Sequence, residues 1–368
     1  MSQKDELVKK GLVNGEQAFT GPYGLQVGIA GGCNYECEFC GDFSSRRAEP
    51  TKNENLLMLD SDRFFSLVND AADMGVEQIS IVGIGEPFMH RDIMKFVSHV
   101  KKNGMRLMIT TNGSMLTQSK VEELARLNVD ILNISLNAGT QETYTRVHGE
   151  GQGRYFTKIL DNIQLLTGNT KPWVSLRFVM LPYNIGELEL FLETALKLSA
   201  NEIVLQNCVA PGFAPDLSLS LVEQKTVAKT LLGLRDKGRL DGIKSNADFF
   251  ISRYGGMAVN GENKKYMGYV VDNDFFRHHP CYAGWTYAMI LENGDVRPCC
   301  YCGVSLGNIN SSSFKDIWFS AGYNNFRRKL IALPKTAMAP QGCHCFNNCG
   351  SVVDTIKTME RVKKNRSA

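Results

Sequence analysis

The sequence predicts an α/β protein, in which an open, barrel-like parallel sheet up to residue 208 is followed by a small β-hairpin and helix unit. Apolar β-branched runs and helical patterns alternate six times between residues 22 and 208. Strands that alternate with helices form parallel sheets with right-handed crossovers. Six such units favour an open barrel over a flat nucleotide-binding sheet, although the pattern alone does not separate the two. In both, function is expected at the carboxyl ends of the strands.

The six repeats are assigned from the period of their apolar residues. In the first helix, Phe64, Leu67 and Ala71 share one face, and Gly75 is a typical C-terminal stop. Short runs of apolar, β-branched residues are typical of buried strands. The predicted strands are 25–29, 78–82, 105–110, 130–136, 173–180 and 202–206, and the predicted helices are 61–75, 91–103, 117–127, 154–167 and 186–199.

A second unit is predicted at residues 276–352. Its hairpin pairs residues 285–290 with 296–299, because Asn293 and Gly294 supply the positive φ angles of a tight turn. The remaining assignments are an N-terminal extension (1–21), the barrel (22–208), a connector (209–275) with a helix around 221–237, a helix at 313–332, and a basic tail (353–368) with a solvated terminal helix from Lys357 to Arg366.

Composition excludes several classes of protein. The 368 residues include 41 Lys and Arg against 38 Asp and Glu, a net charge of +3 that is too balanced to indicate binding to nucleic acid or to an anionic membrane surface. No apolar run reaches the roughly 20 residues that a membrane helix needs. The first twenty residues are polar and charged, unlike a secretion signal. We therefore expect a cytoplasmic protein.

The eleven cysteines are clustered. Three lie at Cys33, Cys37 and Cys40, one is Cys208, and seven fall between residues 281 and 349. In a reducing cytosol, clustered thiols indicate metal or redox chemistry rather than structural disulfides. The odd total also argues against complete pairing, so composition predicts a metalloprotein.

The loop from Cys33 to Cys40 carries the strongest signal. A structural zinc site needs four ligands, and no fourth Cys or His lies nearby in the sequence. A ferredoxin-type cluster normally has closer spacing and a fourth cysteine. Three thiolates on an iron–sulfur cluster would leave one position open for chemistry.

The spacing of Cys33, Cys37 and Cys40, with the aromatic Phe39 before the last of them, resembles the CxxxCxxC signature of the radical S-adenosylmethionine (SAM) enzymes. Three strand-end segments resemble further motifs of that family: Gly85-Glu86-Pro87, Thr111-Asn112-Gly113 and Ile134-Ser135-Leu136-Asn137. Two residues depart from the family pattern. Ile84 replaces the first Gly of the GGEP motif, and Asn137 stands where Asp is common, which weakens its assignment to the ribose.

This resemblance implies a partial TIM-like (β/α)6 barrel. It also implies that Cys33, Cys37 and Cys40 hold a 4Fe–4S cluster and that SAM binds its fourth iron. Phe39, Gly85, Glu86, Pro87, Asn112, Ser135 and Asn137 would then bind SAM. Reduction, by a flavodoxin or ferredoxin for example, would generate a 5′-deoxyadenosyl radical that removes hydrogen from a substrate.

The C-terminal cysteines resemble the SPASM or shorter twitch extension of the same family. Cys281 is followed by twelve residues, Gly294, four more residues and Cys299. The closing pair is Cys345 and Cys349, or alternatively Cys343 and Cys349. The resemblance implies at least one auxiliary 4Fe–4S cluster, held by Cys281, Cys299, Cys345 and Cys349. A zinc ribbon stays open as an alternative, as does a second auxiliary cluster that uses the remaining Cys300, Cys302 and Cys343.

Two further residues are candidates for the catalytic site. Cys208 follows the sixth predicted strand and could return a hydrogen atom to a substrate radical, although a buried structural thiol is the commoner role. Arg177 could bind an oxygen of substrate or SAM, or form an ion pair inside the barrel. His148, His278 and His279 are possible proton acceptors.

The sequence therefore indicates a radical SAM oxidoreductase or isomerase that dehydrogenates or epimerises a small polar substrate, which could be carbohydrate-like. One alternative is a maturase that modifies a ribosomal peptide. A non-enzymatic zinc or electron-transfer protein is the other. Substrate, proton acceptor and oligomeric state do not follow from the sequence.

Overall fold

The computed structural model describes residues 2–48, 57–168, 171–256, 275–346, 349 and 351–363. Within these ranges the strands are β1 (Gly24–Val27), β2 (Gln78–Ile81), β3 (Arg106–Thr111), β4 (Ile131–Ser135), β5 (Trp173–Met180), β6 (Glu202–Asn207), β7 (Lys244–Ser245), β8 (Tyr287–Ile290) and β9 (Val296–Arg297). The helices are α1 (Gln3–Asn14), α2 (Ser61–Asp73), α3 (Ile93–Lys102), α4 (Gln118–Arg126), α5 (Gln141–His148), α6 (Phe156–Thr167), α7 (Leu188–Lys197), α8 (Leu221–Asp236), α9 (Ala247–Tyr254), α10 (Phe275–His278), α11 (Ala283–Thr286), α12 (Phe314–Trp318), α13 (Ala321–Thr336) and α14 (Ser351–Lys363).

All nine described strands belong to one sheet, in the order β7-β6-β5-β4-β3-β2-β1-β8-β9. The six predicted strands form its parallel centre. The hairpin is confirmed, since β8 and β9 pair antiparallel. Its turn differs from the prediction, because residues 291–295 separate the two strands and only Gly294 (φ of 87°), not Asn293, has a positive φ. This hairpin does not stand apart from the barrel, because β8 pairs in parallel with β1. The connector likewise supplies β7, which extends the sheet beyond β6, while its residues 257–274 lie outside the described part.

The two faces of the sheet differ in polarity. Side chains on one face are apolar and at most 1 % exposed, and they belong to the main hydrophobic core with the helices: Leu25, Val27, Ile79, Ile81, Leu107, Ile109, Leu132 and Ile134. Each contributes about 1.5–3 kcal/mol through burial. The alternate positions form the inner face, which carries the polar residues Gln26, Ser80, Thr110, Asn133, Ser175 and Arg177. The inner face is therefore suited to a polar ligand.

Two predicted boundaries were wrong and one helix was missed, and a specific hydrogen bond accompanies each difference. Trp285 and Thr286 belong to α11 rather than to the hairpin strand, and the Trp285 indole donates to the Gln17 carbonyl (3.0 Å). The helix expected at 313–332 is two helices, because the Ser320 hydroxyl accepts from the Tyr323 amide (3.1 Å) and starts α13 anew. Helix α5, which Thr140 caps, was not predicted.

The terminal helix begins earlier than expected and is not simply solvated. Arg361 in α14 donates to Asp5 in α1 (2.6 Å) and to both carboxylate oxygens of Glu77 (2.7 and 3.0 Å). Its guanidinium also lies 3.8 Å from the centre of the Tyr23 ring. The part of the predicted tail beyond residue 363 lies outside the described residues.

Replacing Arg361 with alanine is expected to destabilise the fold by about 1–2 kcal/mol, because it removes charged hydrogen bonds that solvent partly screens. Urea unfolding measures this change. The control is Arg239→Ala, which breaks an ion pair with Glu193 in which both side chains are more than 40 % exposed, and which should cost less than about 1 kcal/mol. Equal effects of the two substitutions would contradict the role given to Arg361.

None of the helices in the described ranges combines the length and the apolar character needed to cross a membrane.

Candidate functional site

The cysteine loop follows β1 at the carboxyl end of the sheet. Its backbone is tied to the end of α5, since the amides of Glu36 and Glu38 donate to the carbonyls of His148 (3.3 Å) and Val147 (3.1 Å). Within the loop, the Cys40 amide donates to the Cys37 carbonyl (2.9 Å). These contacts fix the loop that carries Cys33, Cys37 and Cys40, and none of the three is in a disulfide.

The three thiols are close enough to influence one another. Burial raises the pKa of Cys33 to about 12, and the nearby Glu86 and Cys40 add to this effect. Burial also raises the pKa of Cys37 well above its usual value, with Cys33 and Cys40 contributing. A thiolate here therefore needs a positive charge beside it, which a bound metal centre supplies.

This donor set fits an iron–sulfur cluster, for which thiolates are the preferred ligands. Within the described ranges, no three His, Cys, Asp or Glu side chains form a group that could hold a single metal ion. An iron–sulfur cluster does not need several ligands around a single ion, because each of its cysteines binds a different iron atom.

The loop after β2 packs directly on the cysteine loop. The amides of Gly85 and Glu86 donate to the carbonyls of Ala30 (3.1 Å) and Gly32 (2.9 Å). A Cβ atom on Gly85 would lie 1.9 Å from the Gly32 carbonyl oxygen. Only glycine fits there without displacing the backbone next to Cys33.

Gly85→Ala is expected to destabilise the protein by about 1–3 kcal/mol, the usual range for overpacking. Thermal unfolding is the measurement. Gly186→Ala is the matched control, because a Cβ at Gly186 meets nothing within 4 Å. If both substitutions leave the melting temperature unchanged, the close contact with Gly32 does not constrain residue 85.

Glu86 joins the ends of β2 and β3. Its carboxylate is 3 % exposed and accepts hydrogen bonds from the Phe88 amide (3.1 Å), the Thr111 hydroxyl (2.6 Å) and the Asn112 amide (2.8 Å). Burial raises its pKa, although these hydrogen bonds act in the opposite direction. The side chain is thus engaged inside the protein, next to the expected ligand site.

The other predicted SAM-binding residues lie around the same edge. The Asn112 side chain donates to Asn34 (3.0 Å) in the cysteine loop, and its Nδ2 lies 4.0 Å from the Cys33 sulfur. Ser135 ends β4 and is partly exposed. Asn137 has a φ of 59°, and its Oδ1 accepts from the Val179 amide (2.8 Å), whereas its buried Nδ2 has no partner among the described residues.

Arg177 and Cys208 differ in their access to the inner face. Arg177 is partly exposed there and donates to Asn133 (2.6 Å). Cys208 is 4 % exposed and packs in a small apolar cluster with Leu181 and Leu217, against which Phe39 also lies. Burial raises the pKa of the Cys208 thiol to about 11.

His148 lies behind the cysteine loop. Its Nδ1 is 3.0 Å from the Cys37 sulfur, its Nε2 is 3.2 Å from the Leu136 carbonyl oxygen, and burial lowers its pKa to about 4. Sequence reasoning gave no sign of the contact with Cys37, because the packing of α5 creates it. His278 is exposed, and the ring of His279 packs against that of Phe275 with 4.6 Å between the ring centres.

The C-terminal unit gathers a second set of thiols. Cys281, Cys299, Cys345 and Cys349 are between 3 % and 9 % exposed and share one core cluster. Burial raises the pKa of Cys281, and the charges of Cys299, Cys345 and Cys349 raise it further. This donor set also fits an iron–sulfur cluster.

The remaining three cysteines do not form a third group. Cys302 and Cys343 are joined in a disulfide, which contradicts the expectation that no structural disulfide forms. The bridge also removes both as free thiols for a second auxiliary cluster. Cys300 is exposed.

Family models match both parts of the chain. The model of the radical SAM superfamily matches residues 27–195, and that of the SPASM iron–sulfur cluster-binding domain matches residues 281–350. A curated relative from Pyrococcus furiosus, the tungsten-containing aldehyde ferredoxin oxidoreductase cofactor-modifying protein, is 27 % identical over 346 residues, which cover 91 % of this chain and 90 % of that protein.

Two solved structures share the fold. Streptococcus suis SuiB bound to its precursor peptide SuiA has a TM-score of 0.64 at 15 % identity, covering 93 % of this chain and 74 % of SuiB. The protein anSMEcpe with bound AdoMet has a TM-score of 0.61 at 14 % identity, covering 94 % and 98 %. The expected partial barrel with a small C-terminal unit is thereby confirmed.

Proposed function

The chain belongs to the radical SAM superfamily and has a SPASM-type iron–sulfur domain, and on this premise we propose that it oxidises a small polar substrate. As a radical SAM enzyme it uses SAM and 4Fe–4S clusters. When bound, these groups would supply a 5′-deoxyadenosyl radical that removes a hydrogen atom from the substrate, and an auxiliary cluster that would take the second electron as the substrate radical loses a proton.

The proposal depends on one observation above all, namely the three thiols, none of them in a disulfide, in the loop at the carboxyl end of β1. In it, Cys33, Cys37 and Cys40 bind the cluster that cleaves SAM, and Gly85 lets the β2 loop close on them. Phe39, Glu86, Pro87, Asn112, Ser135 and Asn137 surround SAM, and the unpaired Nδ2 of Asn137 is available to one of its oxygens.

A polar substrate is supported by the inner face of the sheet. Asn133 donates to Thr110 (3.0 Å) and accepts from Arg177, which orients the guanidinium towards the interior. Arg177 thus remains able to bind a substrate oxygen. The name of the Pyrococcus furiosus relative, a protein that modifies a cofactor, also supports a small molecule as substrate.

Oxidation is favoured over epimerisation by the burial of Cys208. A hydrogen donor must touch the substrate carbon, and this thiol is enclosed among apolar side chains. Cys281, Cys299, Cys345 and Cys349 would hold the auxiliary cluster. In this proposal Cys208→Ser leaves both turnover and product stereochemistry unchanged. A loss of stereochemical inversion in that variant would favour an epimerase.

Peptide modification is the second candidate. It is supported by the fold shared with SuiB, whose structure contains a precursor peptide. Binding of a precursor-like peptide by the reconstituted enzyme would favour this candidate over a small-molecule substrate.

The decisive experiment is anaerobic reconstitution followed by reduction with flavodoxin or ferredoxin. About eight irons per chain are expected for two four-iron clusters. 5′-Deoxyadenosine should form, and faster with small polar candidates than with peptides. Zinc in place of iron, or the absence of 5′-deoxyadenosine, would contradict the proposal.

A further inference from the structure

Two buried polar atoms without a hydrogen-bond partner among the described residues lie on the β8–β9 hairpin and its turn. Five buried side-chain atoms lack a hydrogen-bond partner in the described part of the chain: Asn137 Nδ2, Gln152 Oε1, Glu292 Oε2, Arg297 Nε and Tyr323 OH. Glu292 and Arg297 carry opposite charges and lie on this one hairpin. Buried polar groups are nearly always hydrogen-bonded, so these two call for an explanation.

Arg297 lies on the inner face of the sheet. It pairs with Met289 across the hairpin, and Met289 in turn pairs with Gln26 of β1. Residues opposite one another in neighbouring strands share a face. Arg297 is therefore on the same polar face as Gln26 and Arg177, at the edge where the C-terminal unit joins the barrel.

Glu292 lies between the hairpin and the cysteine loop. A Cβ on Gly31 would be 3.0 Å from its Cγ, and a Cβ on Gly28 would be 3.6 Å from its Oε2. Gly31, two residues before Cys33, leaves room for the Glu292 side chain, whereas the distance at Gly28 is an ordinary van der Waals contact. The enclosed oxygen thus sits beside the loop that would hold the SAM-cleaving cluster.

Neither charge is neutralised inside the protein. Among the described residues, Glu292 and Arg297 form no salt bridge with each other or with any other side chain. Both side chains are partly exposed, and one enclosed atom of each has no hydrogen-bond partner among the described residues. A ligand that carries the complementary charges would give both side chains a partner.

We propose that Arg297 and Glu292 are substrate-binding residues that select a substrate with a carboxylate and a separate amine or hydroxyl group. Arg297 binds the carboxylate and Glu292 accepts from the amine or hydroxyl. The negative charge of Glu292 on the same hairpin favours a singly charged carboxylate over a doubly charged phosphate. This inference rests on the proposed function and adds the substrate class to it.

The test uses linear ω-amino acids of increasing length, from glycine to 6-aminohexanoate, as probes of the reconstituted enzyme with SAM bound. Calorimetric titration should show that one length binds about tenfold tighter than the others, which identifies the spacing of the two groups. Arg297→Gln should abolish binding of every probe. Glu292→Gln should reduce the best probe to the affinity of the fatty acid of equal length.

Two control substitutions each remove one charge, an arginine and a glutamate, outside the hairpin. Arg328→Gln breaks an exposed pair with Glu16, and Glu122→Gln changes an exposed residue of α4, so both should bind the probes normally. Inorganic phosphate should bind more weakly than the best probe. Tighter phosphate binding, no saturable probe binding, or binding that survives Arg297→Gln would overturn the inference.

These failures are distinguishable from failure of the proposed function. Iron content and 5′-deoxyadenosine formation by the unsubstituted enzyme test the radical chemistry without any probe. Unfolding in urea provides a further readout: because neither charge has a partner, neither substitution should lower stability. A loss of stability in both variants would indicate a structural role and would also overturn the inference.

Discussion

Alanine in place of Cys33, Cys37 or Cys40 is expected to abolish SAM cleavage and to lower the iron content from about eight to about four atoms per chain. The reason is geometric. Each of the three thiols binds one iron of the four-iron cluster, and SAM binds the fourth iron. Loss of one thiol therefore leaves two irons without a protein ligand. Iron analysis, electron paramagnetic resonance of the reduced protein and 5′-deoxyadenosine formation measure the outcome.

Cys300→Ala is the matched control, because this exposed cysteine lies outside both proposed ligand sets. It should retain the full iron content and full SAM cleavage. Should a single alanine variant in the cysteine loop keep eight irons and normal 5′-deoxyadenosine formation, those cysteines are not the ligands of the SAM-cleaving cluster.

The parts of the fold that sequence predicted are those in which local pattern and packing agree. Strand β5 was predicted with its observed bounds, since its buried residues Val174, Leu176 and Phe178 alternate along one apolar face. The glycine of the hairpin turn was predicted for a similar reason, because the positive φ of Gly294 is a local requirement, whereas the positive φ expected at Asn293 was wrong. Strand periodicity and turn glycines can both be recognised from a few consecutive residues.

What the sequence did not predict depends on contacts between distant segments. Pairing of β8 with β1 joins residues more than 260 positions apart, and it makes the C-terminal unit an extension of the barrel sheet. His148 meets Cys37 only because α5, an unpredicted helix, packs behind the cysteine loop. Nothing in the sequence singled out Glu292 and Arg297, and they differ from other hairpin residues in that one buried atom of each has no hydrogen-bond partner among the described residues.

Substitution of the C-terminal cysteines is the second change for which we expect a large effect. Alanine in place of Cys281, Cys299, Cys345 or Cys349 is expected to remove about four irons per chain and to stop substrate oxidation, because the electron left on the substrate radical then has no acceptor beside the barrel. The iron held by the cysteine loop should remain, so the resonance spectrum should lose one of its two cluster signals. Iron analysis together with product measurement tests this expectation.

Comparison of Cys345 with Cys343 makes this test specific. The two cysteines are two residues apart, yet Cys345 is a free thiol in the buried group whereas Cys343 is bonded to Cys302. Cys345→Ser should therefore lose the auxiliary cluster, and Cys343→Ser should keep about eight irons. The reverse pattern would mean that Cys343 closes the auxiliary site, and it would replace the bridged pair by a ligand pair. Comparing the two variants therefore shows which of the two cysteines is a ligand of the auxiliary cluster.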